Sequence, residues 1–248
     1  MLEDVSLSIA PGETLFLLGV TGAGKTLLLR LILGLLKPDS GQVLMEGQNF
    51  TALSETEVHS LRKRMGIVFQ EGALFDSLSV YENVAYRLRE EGLEDEEEIG
   101  GRVREVLRFV EMESAIEKMP AELSGGMRRR VSIARAIISN PAIMLYDSPT
   151  AGLDPVTAHT INLLIAKLRD VQHVTSVVVT HRLQDAYVLA NFVFSPEKQE
   201  LVPAGTDGGP GTLSPVRFLV LREGRIYFDG SQREMIGSGD AYLTRFLA

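Results

Sequence analysis

The chain has 248 residues, with 25 Lys plus Arg against 33 Asp plus Glu, no Cys and an apolar fraction of 45%. A chain of this size and composition buries a core without a disulfide or structural zinc, and the lack of Cys excludes thiol chemistry. Residues 90–98 hold seven carboxylates and no basic residue, so the rest of the chain is nearly neutral and no nucleic-acid partner is indicated.

Short apolar runs predict the strands of a sheet. They lie at residues 14–18, 67–69, 143–146 and 176–179. Their hydrophobicity is nearly continuous, which is typical of parallel strands covered on both faces. Helical patterns lie between them, at 25–36 before Pro38 and at 126–139 before Pro141. The pattern indicates an α/β fold, closed by an antiparallel hairpin with strands at 218–221 and 225–228.

The chain is interpreted as one domain, residues 1–248, in two parts. Residues 1–70 and 141–248 form the α/β core, and residues 71–140, helical in pattern, form an inserted helical subdomain. The stretch 195–215 is an insertion, and its second half is dense in Gly and Pro. We expect this insertion to be a flexible surface loop, because it offers little to bury.

A phosphate-binding pattern follows the first strand, in the order strand, loop, helix. The predicted ATP-binding segment comprises Gly19, Val20, Thr21, Gly22, Ala23, Gly24, Lys25, Thr26 and Leu27. Its first eight residues read G-x-x-x-x-G-K-[ST], and we call residues 19–26 the phosphate loop. Glycines let backbone amides converge on phosphate, Lys25 reaches the β and γ phosphates, and the Thr26 hydroxyl ligates Mg²⁺. The structural alternative is a Gly-rich turn with a solvated lysine.

Polar residues follow three further predicted strands. They are Gln70, Asp147 and the pair 180–181, which includes His181. Because the carboxyl ends of parallel strands form the ligand crevice of an open sheet, all three should face the phosphate loop. Each taken alone is also explained as a polar strand end. The other histidines, His59, His159 and His173, are expected to be structural.

A second glycine-rich helix start lies near residue 124. We call its residues Ser124, Gly125, Gly126 and Met127 the signature segment. Ser124 is a predicted N-cap, and the glycines leave bare amides for an anion. Three arginines follow at 128–130. The structural alternative is a capped helix with a solvated arginine face.

These motifs, with residues 151–154, stand in the order found in the ATP-binding subunits of ABC transporters, which the chain resembles over nearly its whole length. The resemblance implies a P-loop ABC cassette and a head-to-tail dimer with two ATP molecules. Each ATP would lie between one phosphate loop and the partner's signature segment. The resemblance assigns Thr26, Gln70 and Asp147 to Mg²⁺, Gln70 also to the attacking water, His181 to the γ-phosphate, and Asp154 to the dimer interface.

The segment after Gln70 and the Met127 of the signature segment resemble the ATPase subunits of Mla or MCE-associated lipid transporters. This implies an integral-membrane permease that docks on residues 71–84, a second ATP-binding subunit, and an MCE-type lipid-binding protein. No leader pattern and no apolar tract of roughly 18 residues is visible. We therefore expect a cytoplasmic protein, peripheral on the inner membrane.

Two departures from the family qualify this interpretation. Ser148 stands where relatives carry the glutamate that polarises the attacking water, and a general base typically contributes about 10² to 10⁴ in rate. The alternatives are a slow ATPase, a glutamate supplied by a partner, a degenerate or regulatory ATP-binding subunit, or an introduced substitution. A soluble ABC ATPase without a permease is a further alternative. The aromatic residue that stacks on adenine in relatives would lie upstream of Met1, so either translation starts earlier or adenine stacking is weak.

Overall fold

A six-stranded sheet organises the protein, whose computed structural model describes residues 1–205 and 214–244. Its strand order is β10-β9-β1-β6-β5-β4. The bounds are β1 Thr14–Leu18, β4 Met65–Val68, β5 Ile143–Asp147, β6 Thr175–Val179, β9 Val216–Arg222 and β10 Arg225–Gly230. All neighbours are parallel except β9 and β10. The α/β fold of a P-loop ABC cassette, with a mostly parallel sheet, is confirmed.

Helices cover both faces of the sheet. They are α1 Lys25–Ile32, α2 Glu55–Arg62, α3 Val80–Glu90, α4 Glu96–Phe109, α5 Gly125–Ile137, α6 Pro155–Gln172, α7 Leu183–Asn191, α8 Gln232–Gly237 and α9 Ala241–Thr244. Strand β1 sends alternate side chains to the two faces. Leu15 and Leu17 pack in the cluster that contains α1, whereas Phe16 and Leu18 pack in the cluster that contains α3 to α6. The helices at 80–137 therefore share a core with one face of the sheet.

Helix α1 ends earlier than its apolar pattern predicts. It stops at Ile32, because Gly34 has φ +64°, a left-handed conformation that favours glycine. Arg62 of α2 donates to the carbonyls of Leu33 and Gly34 at 2.9 and 2.8 Å. The helix end is therefore fixed by glycine and by a side chain 28 residues away, not by Pro38.

Two short hairpins are absent from the sequence prediction. One pairs β2 Leu44–Met45 with β3 Gln48–Asn49, and the other pairs β7 Phe192–Ser195 with β8 Glu200–Pro203. Strand β8 lies inside the stretch 195–215, so residues 200–203 form a strand where a surface loop was expected. Residues 206–213 lie outside the described part of the chain.

Candidate functional site

The carboxyl ends of four adjacent parallel strands bring most of the predicted site residues to one edge of the sheet. Strand β1 leads into the phosphate loop, β6 into residues 180–181, β5 into Ser148, and β4 into residues 69–70. These strands are neighbours in the order β1-β6-β5-β4. The convergence predicted from the strand ends is therefore present in the fold.

The phosphate loop has the backbone that its glycines permit. Gly19, Gly22 and Gly24 have φ values of +148°, +82° and +104°. A Cβ atom on Gly19 would lie 2.6 Å from the carbonyl oxygen of Leu221 on β9, so this position requires glycine for close approach as well as for φ. The phosphate loop therefore packs closely against β9 of the central sheet where it connects β1 to helix α1.

Helix α1 begins without a side-chain cap. Gly24 is its N-cap residue and makes no capping bond, whereas Ser79 caps α3 and Asp154 caps α6. The first amides of a helix have no intrahelical acceptor. Those of α1 are therefore left for an anion, at the end of the helix where the macrodipole is positive.

The Lys25 ammonium lies across the phosphate loop. Its Nζ donates to the carbonyl oxygens of Gly19 at 2.7 Å and Val20 at 2.9 Å. Burial lowers the pKa of Lys25, and the negative charge of Asp147 opposes this shift. An arriving phosphate would offer charged oxygen acceptors in place of these neutral carbonyls, and charge-assisted bonds are the stronger ones.

The oxygen donors at the sheet edge fit Mg²⁺. Thr26 lies in the first turn of α1, Asp147 ends β5 and Gln70 follows β4. Burial raises the pKa of Asp147, and a hydrogen bond from Ser148 and the charge of Lys25 oppose this. Within residues 1–205 and 214–244, no group of three or more His, Cys, Asp or Glu is placed to hold a metal. Mg²⁺ is usually bound by one or two carboxylates together with substrate phosphates, and Asp147 would supply such a carboxylate.

Ser148 directly follows β5 and is buried. It is 7% exposed and has φ +50°, and its N–H donates to the Val179 carbonyl at 2.8 Å. Its hydroxyl lies 3.5 Å from Asp147 Oδ1. The position is pre-arranged beside the proposed metal ligand but carries no carboxylate.

Two other predicted site residues, Gln70 and His181, are exposed at this edge. Asp154, which was predicted at the dimer interface, has a structural role as well: it is the N-cap residue of α6. Its Oδ1 accepts from the amides of Val156 and Thr157 at 3.0 Å each, which caps α6. Hydrogen bonds from Thr157 lower the pKa of Asp154.

The signature segment starts helix α5, away from the phosphate loop. Ser124 accepts from the Met127 amide at 3.3 Å, as expected for an N-cap. No hydrogen bond or ion pair joins residues 124–127 to residues 19–26 in the described part of the chain.

A buried polar network behind the site was missed by the sequence analysis. Asp185 of α7 accepts from Thr150 and Asn162, and Arg182 donates to the carbonyls of Thr150 and Leu153 at 3.2 and 3.4 Å. The network ties the loop after β5 to the segment after His181. In the sequence, the network shows only as polar residues at helix positions that the apolar pattern would bury. Such residues are too common to identify a network.

The fold and the site define an ATP-binding cassette, and the comparisons agree. Residues 2–151 match the ABC transporter family, and the chain belongs to it as an ATP-binding subunit. Among solved structures, the dimeric post-hydrolysis state of the cassette MJ0796 bound to ADP and Pi is 31% identical, with a TM-score of 0.76 over 93% of this chain and 90% of that one. The cassette cbiO1 from Clostridium perfringens, described as part of the transporter complex cbiONQ, is 27% identical, with a TM-score of 0.76 over 99% and 88%.

Several curated relatives within this family are ATP-binding proteins of phospholipid transport systems. The intermembrane phospholipid transport system ATP-binding protein MlaF of Haemophilus influenzae is 38% identical over 82% of this chain and 77% of that protein. MlaF of Escherichia coli K12 is 37% identical over 83% and 77%. The resemblance to Mla-type ATPases is confirmed. A methionine import protein, MetN of Carboxydothermus hydrogenoformans, is 44% identical, but over 74% of this chain and 54% of that protein.

Proposed function

We propose that the chain is the ATP-hydrolysing subunit of a bacterial ABC transporter that moves phospholipids or related apolar molecules between membranes. The phosphate loop, with its uncapped helix start and Lys25, carries the ATP-binding part of the proposal. The transported class is supported by MlaF relatives that match over about four fifths of the chain. Residues 71–140 serve as the helical subdomain of this single cassette.

The chain's own groups divide the work at the sheet edge. The amides of α1 and Lys25 bind the β and γ phosphates of ATP, and Thr26, Gln70 and Asp147 hold Mg²⁺. Mg²⁺ held by these residues would supply positive charge that offsets the negative charge developing on the phosphates. His181 faces the γ-phosphate, and Gln70 orients the attacking water.

Two copies are needed to complete the site. The uncapped start of α1 and the glycine-rich start of α5 are two anion-binding helix ends, and a head-to-tail dimer would apply one of each to every ATP. In that dimer residues 124–127 of each copy close over the ATP of the other, and Asp154 lies at the interface. MJ0796, which covers 93% of this chain, is dimeric in its solved structure.

The proposed permease docks on residues 71–84. This segment is shaped by Asn83, which is fully buried and donates to the carbonyls of Phe75, Leu78 and Ser79 at 2.9 to 3.1 Å. Phe75 remains 43% exposed. No helix in residues 1–205 and 214–244 is long and apolar enough to cross a membrane. Docking on the permease would hold the subunit on the cytoplasmic face of the inner membrane, with an MCE-type lipid-binding protein as a further partner.

A second candidate function is favoured by Ser148. With no carboxylate at this position, the subunit would bind ATP and drive association or regulation with little hydrolysis. The phosphate and metal contacts are unaffected, so ATP binding is expected under both proposals.

Steady-state Mg-ATP hydrolysis by the permease-bound complex separates the two functions. The experiment compares the unsubstituted protein with Ser148→Glu and with the inactive control Lys25→Ala. If turnover of the unsubstituted protein is near the Lys25→Ala background and rises about 10² or more in Ser148→Glu, the protein is an ATP-binding subunit that lacks its base. Turnover of the unsubstituted protein well above that background rules out the regulatory function. The class of transported molecule is tested by adding phospholipid vesicles or methionine and measuring which of them stimulates Mg-ATP hydrolysis.

A further inference from the structure

Arg129, on helix α5, is a buried cation without a carboxylate partner. It is 5% exposed, and it forms no ion pair among the described residues. Its Nε has no hydrogen-bond partner. Burial lowers the pKa of the guanidinium, and only the charge of Glu71 opposes this. Arg129 is therefore not part of the solvated arginine face that the structural alternative for residues 128–130 describes.

A second buried arginine shows what full compensation looks like in this protein. Arg169 is 1% exposed, and its Nε pairs with Asp170 at 2.6 Å. Its other nitrogens donate to Asp170 and to the carbonyls of Leu189 and Phe192. Burying an unpaired charge is costly, so packing alone does not account for Arg129.

The two hydrogen bonds of Arg129 go to the two loops of the candidate site. One terminal nitrogen donates to the Phe69 carbonyl at 2.5 Å, and the other donates to the Ala151 carbonyl at 3.5 Å. Phe69 immediately precedes Gln70, the proposed ligand of Mg²⁺ and the water. Ala151 lies in the loop that runs from Ser148 to Asp154. One planar guanidinium therefore spans both loops, which suits the fork geometry of arginine.

Each loop is closed on itself at the residue that Arg129 contacts. The Phe69 carbonyl also accepts from the Gly72 amide at 2.9 Å, which closes the turn that carries Gln70. The Ala151 amide donates to the Ser148 carbonyl at 3.1 Å. Movement of Arg129 would therefore disturb both turns at once. Since Arg129 is carried by the helix that the signature segment starts, a shift of that helix reaches both loops through one side chain.

We propose that Arg129 is a positioning residue that holds the Gln70 turn and the loop 148–154 in register with the signature helix α5. In this way, contact of the signature segment with the partner's nucleotide adjusts the hydrolysis machinery of its own chain. The expected effect of Arg129 on hydrolysis rests on the proposed ATPase function. Its role in holding the two loops does not.

Amide hydrogen exchange of the nucleotide-free protein tests the structural step. Arg129→Gln removes the span between the loops, and Arg129→Lys keeps a charge that reaches one carbonyl. In Arg129→Gln, peptides covering 69–72 and 148–154 should exchange about tenfold faster, the order expected when a hydrogen bond to a charged group is lost. Arg129→Lys should be intermediate. Arg102→Gln is the matched control, because Arg102 donates to the Ile138 carbonyl at 3.0 Å on the far end of α5.

Hydrolysis by the permease-bound complex tests the functional step, in the Ser148→Glu background so that turnover is measurable. Adding Arg129→Gln should lower kcat about tenfold and change KM for Mg-ATP by less than about threefold, because the phosphate contacts stay intact. Arg102→Gln should match the parent in both constants.

Three results would overturn the assignment. They are unchanged exchange in both loops, exchange that rises equally in the α4 peptides 96–109, and a raised KM with unchanged kcat. Should Arg129→Gln not fold, Arg129→Lys carries the same comparison. Absence of any hydrolysis in the Ser148→Glu parent would reject the proposed ATPase function, and the exchange measurement would still decide the role of Arg129.

Discussion

The hydroxyl of Thr150 donates a hydrogen bond to the buried carboxylate of Asp185, and this bond joins the loop after β5 to the helix after β6. Asn162 donates to the other carboxylate oxygen at 2.8 Å. The three residues are 1%, 4% and 3% exposed. Ser148 and His181, which are separated by 33 positions, therefore lie on segments that share one rigid anchor.

Thr150→Val should destabilise the protein by about 1–3 kcal/mol, because it leaves a buried carboxylate oxygen without a hydrogen-bond donor. The nearest remaining cation, Arg182 Nε, is 3.7 Å from that oxygen. Urea unfolding gives the free energy. Thr244→Val is the control, since its exposed hydroxyl donates to the Asp240 carbonyl, and it should change stability by less than about 0.5 kcal/mol. Equal effects of the two substitutions would contradict the anchoring role.

Asp147→Asn should stabilise the nucleotide-free protein at pH 7. Burial raises the pKa of Asp147, so its ionised form disfavours the fold. A group with a raised folded pKa stabilises the fold below its unfolded pKa, and this contribution is lost as pH rises through the folded pKa. The melting temperature of Asp147→Asn should therefore exceed that of the parent at pH 7, and the difference should shrink as the pH falls toward about 4. A lower melting temperature at pH 7 would show that the attraction between the charges of Asp147 and Lys25 outweighs burial.

Asp147→Asn should weaken the binding of Mg-ATP, although it stabilises the nucleotide-free protein. Asp147 is the single carboxylate of the proposed metal-binding set, so Asp147→Asn should reduce the affinity for Mg-ATP to that for ATP without metal. In the unsubstituted protein, acidification from pH 7 toward about 4 should weaken Mg-ATP binding more than metal-free ATP binding, because protons compete with the metal at a carboxylate of raised pKa. Titration calorimetry with and without Mg²⁺ measures both. A Mg²⁺ contribution that Asp147→Asn leaves intact would exclude this residue as a ligand.

The sheet was predictable because its strands are apolar nearly throughout. Strand β1 at Thr14–Leu18 is buried at every position, and the predicted and observed bounds coincide. The short hairpins were not predictable, since β2 and β8 bury few side chains and carry no continuous apolar signal. Likewise the end of α1 depends on the φ of Gly34 and on Arg62, and the latter is a contact between distant residues.

The candidate site also has one part that the sequence predicts and another that it does not. Its loop residues are predictable because phosphate binding demands glycines and a lysine at fixed local spacing. The contacts behind them are not, because Arg129 and Asp185 become neighbours of the site only through long-range packing. Nothing local distinguishes Arg129 from Arg128 and Arg130, yet only Arg129 is buried. Sequence motifs thus predict the groups that meet a ligand, and the structure adds those that position them.

Gly19→Ala should be more damaging than Gly22→Ala. Both residues have positive φ, but a Cβ on Gly19 would collide with the Leu221 carbonyl, whereas a Cβ on Gly22 meets no atom within 4 Å. Gly22→Ala should therefore cost only the left-handed penalty, about 1–2 kcal/mol. Gly19→Ala should cost that penalty together with a displacement of β9 from the loop. Thermal unfolding and ATP affinity measure the two, and equal losses would show that the loop yields freely.

Gly126→Ala should disturb the signature helix, and Gly125→Ala should not. A Cβ on Gly126 would run into the Thr157 methyl at the start of α6, whereas a Cβ on Gly125 would meet Leu153 at an ordinary 3.6 Å. Overpacking of this kind typically costs about 1–3 kcal/mol. Thr157→Ser removes the methyl but keeps the hydroxyl that donates to Asp154 at 2.5 Å, so adding it to Gly126→Ala should restore stability in urea unfolding. If the double variant stays as unstable as Gly126→Ala, the clash with Thr157 is not the cause and the close approach of α5 to α6 is not what requires this glycine.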